Sequence, residues 1–153
     1  MIKDKKGKRY ERIYSQLQSL IVKSNDMEAR MATVIAVLHH KMDNFFWTGF
    51  YFLKDEELIV KMYQGPVACQ ILKKDTGVCW KCVNDKKTII VPDVDKFPGH
   101  IACDSRTKSE IVIPFFDDSN KIIGVLDVDS STINSFDNID AVWLEKILKL
   151  IFK

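Results

Sequence analysis

The chain has 153 residues, of which 46% are hydrophobic and 29% are charged. That composition supplies a packed core for one domain of ordinary size and excludes general disorder, and a net charge of +2 is too small to indicate a nucleic-acid partner. The longest apolar runs, such as residues 111–116, cannot span a bilayer, and no apolar stretch follows the charged start of the chain. We therefore expect a cytoplasmic protein with no membrane span and no secretory signal.

Positive charge is concentrated in residues 1–12, which carry six basic side chains against Asp4 and Glu11. No nucleic-acid-binding motif follows this segment. We expect a solvated start to a helix, with residues 1–8 free to fray, within a single domain that covers residues 1–153.

Helical periodicity occurs at both ends of the chain. Apolar residues recur at helical spacing over 8–23, 27–41 and 137–152, and the second segment follows the capping residues Ser24-Asn25-Asp26. His39 and His40 fall in the last turn of the second helix. Because the helix dipole favours imidazoles there, we interpret both as structural.

The middle of the chain alternates with a period of two. The predicted strands cover residues 45–53, 57–64, 88–91, 110–116 and 121–129, with a short helix over 77–85. Tight hairpins favour antiparallel pairing, so the order of elements predicts an α+β fold in which an antiparallel sheet is flanked by N- and C-terminal helices. Residues 93–109 show no clear periodicity, and an irregular loop of that length in a compact domain indicates a functional segment.

The first strand places Trp47, Gly49 and Tyr51 on one face. The opposite face, which has the composition of a core, carries Phe46, Thr48, Phe50 and Phe52. Two interpretations of the first face stay open. The gap beside Gly49 is either a pocket for a small apolar group or a cation, or a dent that a neighbouring strand fills.

The last strand turns acidic at one end of one face. Asp127 and Asp129 are two residues apart, so their carboxylates lie within about 7 Å of each other, and Glu110 begins the partner strand. Such a cluster could hold an ammonium group or supply a general acid. Alternatively, the strand simply leaves the core at Asp129 and enters a turn.

Four cysteines in a chain without an export signal indicate free thiols, a metal site or redox chemistry before structural disulfides. Cys103 lies in the irregular loop, where a thiol need not be buried, and Cys69, Cys79 and Cys82 are candidate redox partners. His100 is either a base for Cys103 or only a solvated turn residue.

Cys79 and Cys82 form a C-x-x-C pair at the start of the predicted short helix. A thioredoxin-like motif needs a strand before it, and a zinc knuckle needs a second close pair of ligands. Neither is present, so the spacing is best interpreted as a local coincidence.

Six segments, in this order, resemble the free methionine-(R)-sulfoxide reductases, which have the GAF fold: NFFWTGFY, GPVACQI, GVC, VPDVDKFPGHIACDS, KSEIVIPF and IIGVLDVDS. The resemblance covers residues 30–150. It implies an enzyme that reduces free methionine-R-sulfoxide, is recycled by thioredoxin, requires no metal or organic cofactor, and forms a homodimer.

The resemblance also implies a role for each matched residue. Cys103 would attack the sulfoxide sulfur and become a sulfenic acid, Cys69 would resolve it as a disulfide, and Cys79 would be an auxiliary cysteine. The aromatic residues that line the methyl-sulfoxide end of the pocket match Trp47 and Tyr51. The acids that hold the substrate amine and assist protonation of its oxygen match Glu110, Asp127 and Asp129.

The sequence departs from the family pattern after GVC, where small residues are usual and this chain has Trp80-Lys81-Cys82. Trp80 is expected to alter the local backbone or the pocket wall, and Cys82 is an additional candidate for the resolving thiol. Two other functions are weighed: a non-catalytic GAF sensor that binds a small ligand in the same pocket, and a redox switch that signals through the disulfide.

Overall fold

The computed structural model describes residues 2–100 and 103–152, with side chains from residue 4 onward. Four helices are present: α1 (Ile2–Ile21), α2 (Met27–Lys41), α3 (Gly77–Asp85) and α4 (Asn138–Ile151). Six strands are present: β1 (Trp47–Lys54), β2 (Glu57–Gln64), β3 (Ile71–Leu72), β4 (Ile89–Val91), β5 (Ser109–Phe116) and β6 (Ile122–Ser130). A short 3₁₀ helix covers Val94–Lys96.

All six strands form one antiparallel sheet in the order β3-β2-β1-β6-β5-β4. The predicted α+β fold is therefore confirmed. The central β1–β6 pairing sets Trp47 opposite Asp129 and Gly49 opposite Asp127, and the β5–β6 pairing sets Glu110 opposite Asp129. This register brings the aromatic strand face and the acidic strand end together.

The two faces of the sheet carry separate apolar cores. On the helix-covered face, α1, α2 and α4 pack over residues such as Phe50, Ile111 and Leu126. On the other face, which we call the pocket face, α3 and the loops around it pack over Trp47, Tyr51 and their neighbours. No helix in the described ranges is long and apolar enough to cross a membrane.

Capping contacts and one glycine conformation explain where α2, α3 and α4 begin. The side chain of Asp26 accepts a hydrogen bond from the backbone N–H of Ala29 at 2.8 Å, which fixes the start of α2. Asp137 and Asp140 form a reciprocal capping box at the start of α4. Helix α3 begins at Gly77, whose φ is 80°. Residues other than glycine rarely adopt this backbone conformation.

The structure departs from the predicted elements in two places. Helix α1 begins at Ile2, so the basic segment is helical well before residue 8. Strand β3, which contains only two residues, was not predicted because so short a segment has no detectable periodicity.

Candidate functional site

A cavity opens on the pocket face of the sheet, between β1, α3 and the loop that ends at Cys103. Most of the predicted site residues line it: Trp47, Tyr51, Cys79, Cys103, Glu110, Asp127 and Asp129. The other lining residues were not included in the predicted site, and Phe46 and His100 are among them. Phe46 was expected on the core face, but it precedes β1 and packs on the pocket face instead.

The aromatic wall of the cavity is built on Gly49. A Cβ at that position would lie 2.6 Å from the Trp47 indole and would also collide with Tyr63, so only glycine lets the indole lie flat on the strand. Trp47 stacks against Tyr51 and Tyr63, with ring centroids 5.8 and 5.1 Å apart. Neighbouring rings therefore fill the dent beside Gly49, and two of them, Trp47 and Tyr51, also line the cavity. A pocket for an apolar group or a cation stays a prediction.

The polar ends of these aromatic residues hold the loop that carries Cys69. The indole N–H of Trp47 donates to the carbonyl of Pro66 at 3.0 Å, and the hydroxyl of Tyr51 donates to the carbonyl of Cys69 at 3.3 Å. The wall of the pocket therefore also positions this cysteine.

A disulfide joins Cys69 to Cys103, whose Cα atoms are 5.6 Å apart. Cys103 is exposed and Cys69 is half-buried, so the bond lies at the mouth of the cavity rather than in its floor. The other two cysteines are buried and free. The pairing therefore selects Cys69 among the three candidate partners.

The two thiols of the C-x-x-C pair lie in different surroundings. Cys79 lines the cavity, whereas the thiol of Cys82 faces the carbonyl of Val112, 3.7 Å away in the core. Burial raises the pKa of both thiols, and the nearby acids raise it further. Trp80 does not line the cavity: its indole N–H donates to the carbonyl of Leu72 at 3.1 Å, so the expected change of the pocket wall is wrong.

The floor of the cavity is acidic. Glu110 and Asp127 are each only 6% exposed, and the Oδ1 atoms of Asp127 and Asp129 are buried without a hydrogen-bond partner in the described part of the chain. Burial, reinforced by Asp129, raises the pKa of Glu110 to about 8. Burial and the neighbouring acids raise the pKa values of Asp127 and Asp129 well above the usual range. The cluster can thus retain protons at neutral pH.

His100 lies beside this floor, with its Nε2 atom 3.5 Å from Oε1 of Glu110. Burial lowers its pKa, against the opposing influence of Asp127, so the imidazole is largely neutral at pH 7 and does not neutralise the acids. At the rim, Asp104 is paired with Arg106 at 2.7 Å, so that carboxylate already has a cation.

Comparisons with known proteins identify the family to which the chain is similar. A family model described as GAF domain matches residues 24–151. The chain is 49% identical to GAF domain-containing protein A of Dictyostelium discoideum, over 97% of the chain and 94% of that protein. It is 33% identical to the free methionine-R-sulfoxide reductase of Escherichia coli, over 94% of the chain and 87% of that protein.

Solved structures of free methionine-R-sulfoxide reductases are also similar to this chain. The X-ray structure of free methionine-R-sulfoxide reductase from Neisseria meningitidis in complex with its substrate superposes with a TM-score of 0.88 at 38% identity, covering 93% of this chain and 85% of that one. The reduced form of the fRMsr of Staphylococcus aureus also gives a TM-score of 0.88, at 43% identity, covering 94% and 92%. The likeness extends over nearly the whole chain.

Proposed function

We propose that this chain, which belongs to the free methionine-R-sulfoxide reductase family of GAF domains, reduces free L-methionine-(R)-sulfoxide to L-methionine. One observation carries the proposal: Cys103, which is disulfide-bonded to Cys69, lines the same cavity as a group of buried carboxyl groups and an aromatic wall. The acids suit the substrate ammonium group, and the wall formed by Trp47 and Tyr51 suits its methyl-sulfoxide end.

In the first chemical step, the thiolate of Cys103 attacks the sulfoxide sulfur. A carboxyl group of the floor protonates the departing oxygen, because oxygen leaves sulfur readily only when it is protonated. The protonated oxygen passes from the substrate sulfur to Sγ of Cys103 while the bond between the two sulfurs breaks, which leaves Cys103 as a sulfenic acid and releases methionine. The raised pKa of Glu110 makes it a suitable proton donor.

In the second step, the thiol of Cys69 attacks the sulfur of that sulfenic acid. A disulfide forms and water leaves, so two thiols have supplied the two electrons that reduce the sulfoxide. The bond between Cys69 and Cys103 in this structure corresponds to that product state. Cys79 remains a thiol in the pocket wall with an auxiliary part, and Cys82 takes no part.

Thioredoxin is the proposed reductant, and the cytoplasm is the proposed compartment, because thiol-based reductants keep cysteines reduced there. The exposed position of Cys103 supports attack by an external dithiol. We also propose a homodimer, as the family resemblance implies, and light scattering on the purified chain tests that part.

The test is the formation of methionine from free L-methionine-R-sulfoxide, with dithiothreitol or thioredoxin as reductant and the S epimer as control. We expect turnover of the R epimer alone. Cys103→Ser should lower it by more than about a thousandfold, whereas Cys82→Ser, a buried thiol outside the pocket, should retain it. If the folded, reduced protein turns over neither epimer, the proposal fails, and ligand binding by a sensor becomes the next experiment.

A further inference from the structure

A thiol lies among the acids of the pocket floor. The Sγ atom of Cys79 and one carboxylate oxygen from each of Glu110 and Asp127 lie within 4.8 Å of one another. All three residues are at least 94% buried. Because they come from α3, β5 and β6, the packing of a helix against the sheet holds these donors together.

A second observation indicates that this cluster takes a cation. The Oδ1 atom of Asp127 is buried and has no hydrogen-bond partner in the described ranges, although the residue lines the cavity. No lysine or arginine is among the described residues of the lining, and the nearby Arg106 is already paired with Asp104. Burying a carboxyl oxygen without a hydrogen-bond partner costs free energy, which a bound cation would compensate.

The presence of a thiol indicates a metal ion rather than an ammonium group as the cation. An ammonium group needs only the carboxylates, whereas Zn²⁺ and related ions bind thiolate sulfur together with carboxylate oxygen. We propose that Cys79, Glu110 and Asp127 bind a thiophilic divalent cation such as Zn²⁺, with a fourth position open to the cavity. Ligand atoms in a tetrahedral zinc site are about 3.5 Å apart, so the three donors, now within 4.8 Å of one another, would move closer together around the ion.

Metal binding would displace the thiol proton of Cys79 to solvent and would occupy the carboxylates assigned above to the substrate. The ion should therefore compete with methionine sulfoxide and raise the apparent KM without changing kcat. This consequence rests on the proposed function, whereas binding of the ion itself does not.

Binding can be measured on the full chain with the Cys69–Cys103 disulfide intact and metals removed by a chelator. Cys79 and Cys82 are then the free thiols, so the protein is titrated with Co²⁺, whose bond to sulfur gives a charge-transfer absorption. We expect about one equivalent of Co²⁺ and its displacement by Zn²⁺. Absence of the charge-transfer band at millimolar Co²⁺ would overturn the proposal.

Two matched pairs of variants test the ligands. Cys79→Ser should abolish the charge-transfer band, and Cys82→Ser, three residues along the same helix, should retain it. Asp127→Asn should weaken binding at least about tenfold, and Asp129→Asn, outside the donor group, by less than about threefold. Equal losses within either pair would contradict the assignment.

Near-ultraviolet circular dichroism establishes that each variant is folded, and Glu110→Gln replaces Asp127→Asn if the latter is not. The failure of this proposal can be distinguished from failure of the proposed function. If the protein binds Co²⁺ through Cys79 but reduces no sulfoxide, the metal-site proposal stands and the proposed function fails. If the protein is active but shows no charge-transfer band, the proposed function stands and the metal-site proposal fails.

Discussion

Buried carboxyl groups lie on both sides of the central sheet, but their surroundings differ. On the helix-covered side, Asp140 is completely buried and accepts hydrogen bonds from the ammonium of Lys6 at 2.8 Å, the hydroxyl of Tyr10 at 2.5 Å and the backbone N–H of Asp137 at 2.9 Å. On the pocket side, Glu110 and Asp127 face one another without a lysine or arginine among the described lining residues.

This difference separates an acid that joins two helices from acids that we propose to act on a substrate. Asp140 joins α1 to α4, and its partners offset the cost of burying its charge. The pocket acids have no lysine or arginine beside them among the described lining residues, and the Oδ1 atoms of Asp127 and Asp129 have no hydrogen-bond partner in the described part of the chain. We therefore expect their burial to cost stability that ligand binding can recover. Four predictions test this distinction, in order of decreasing effect.

The largest effect is expected on the helix-covered side. Asp140→Ala removes one of two acidic partners of the half-buried Lys6 ammonium and the partner of the buried Tyr10 hydroxyl, and it should lower the free energy of unfolding by about 3 kcal/mol. Urea denaturation measures this change. Lys8→Met is the control, because Lys8 pairs with Asp4 on the exposed surface of the same helix and should change stability by less than about 0.5 kcal/mol. A loss below 1 kcal/mol for Asp140→Ala would contradict the structural assignment.

The next effect is on turnover at the pocket. Asp127→Asn removes a carboxyl group that we propose to bind the substrate amine and assist proton transfer, so kcat/KM for the R epimer should fall about a hundredfold. Steady-state kinetics measures it, with Asp118→Asn in an exposed turn as the control. Unchanged kcat/KM would remove Asp127 from the proposed mechanism.

Asp127→Asn should make the folded protein more stable although it lowers turnover. Because Asp127→Asn replaces an acid that has no counter-charge with a neutral group of similar shape, it should raise the free energy of unfolding by about 1 kcal/mol. Urea denaturation of the metal-free, ligand-free protein provides the measurement. If Asp127→Asn destabilises as strongly as Asp140→Ala, the two acidic sites do not differ in the way proposed.

The smallest effect concerns pH on the helix-covered side. Nδ1 of His39 lies 3.1 Å from Oγ1 of the buried Thr48, and burial, with His40 second, lowers the pKa of His39. Since the unfolded chain binds the proton more readily, the stability contributed by neutral His39 is present above pH 6.5 and is lost as the pH falls through the lower folded pKa. His39→Gln should reduce the acid-induced drop in Tm by less than about 2 °C, which thermal scans at pH 7.5 and 5.5 measure. If the Tm of His39→Gln falls more between pH 7.5 and 5.5 than the Tm of the unmodified chain, the predicted direction of the pH dependence is wrong.

Much of the architecture was predictable because local periodicity encodes it. The alternation over 45–53 and 57–64 predicted β1 and β2, and the capping residues before Met27 predicted the start of α2. Resemblance of the segments around Cys69, Cys103 and Glu110 then predicted which residues gather at the pocket, although periodicity alone left several of their interpretations open.

The sequence by itself determined most of the elements and the fold class, since these depend on spacing along the chain, and its resemblance to a known family indicated most of the residues that line the pocket. Only the tertiary structure decided which cysteine pairs with Cys103, that Trp80 and Cys82 are directed into the core, and that Lys6 reaches Asp140 across 134 residues. These outcomes depend on contacts between distant segments, and such contacts are set by the register of the sheet and the packing of the helices, which no local pattern records.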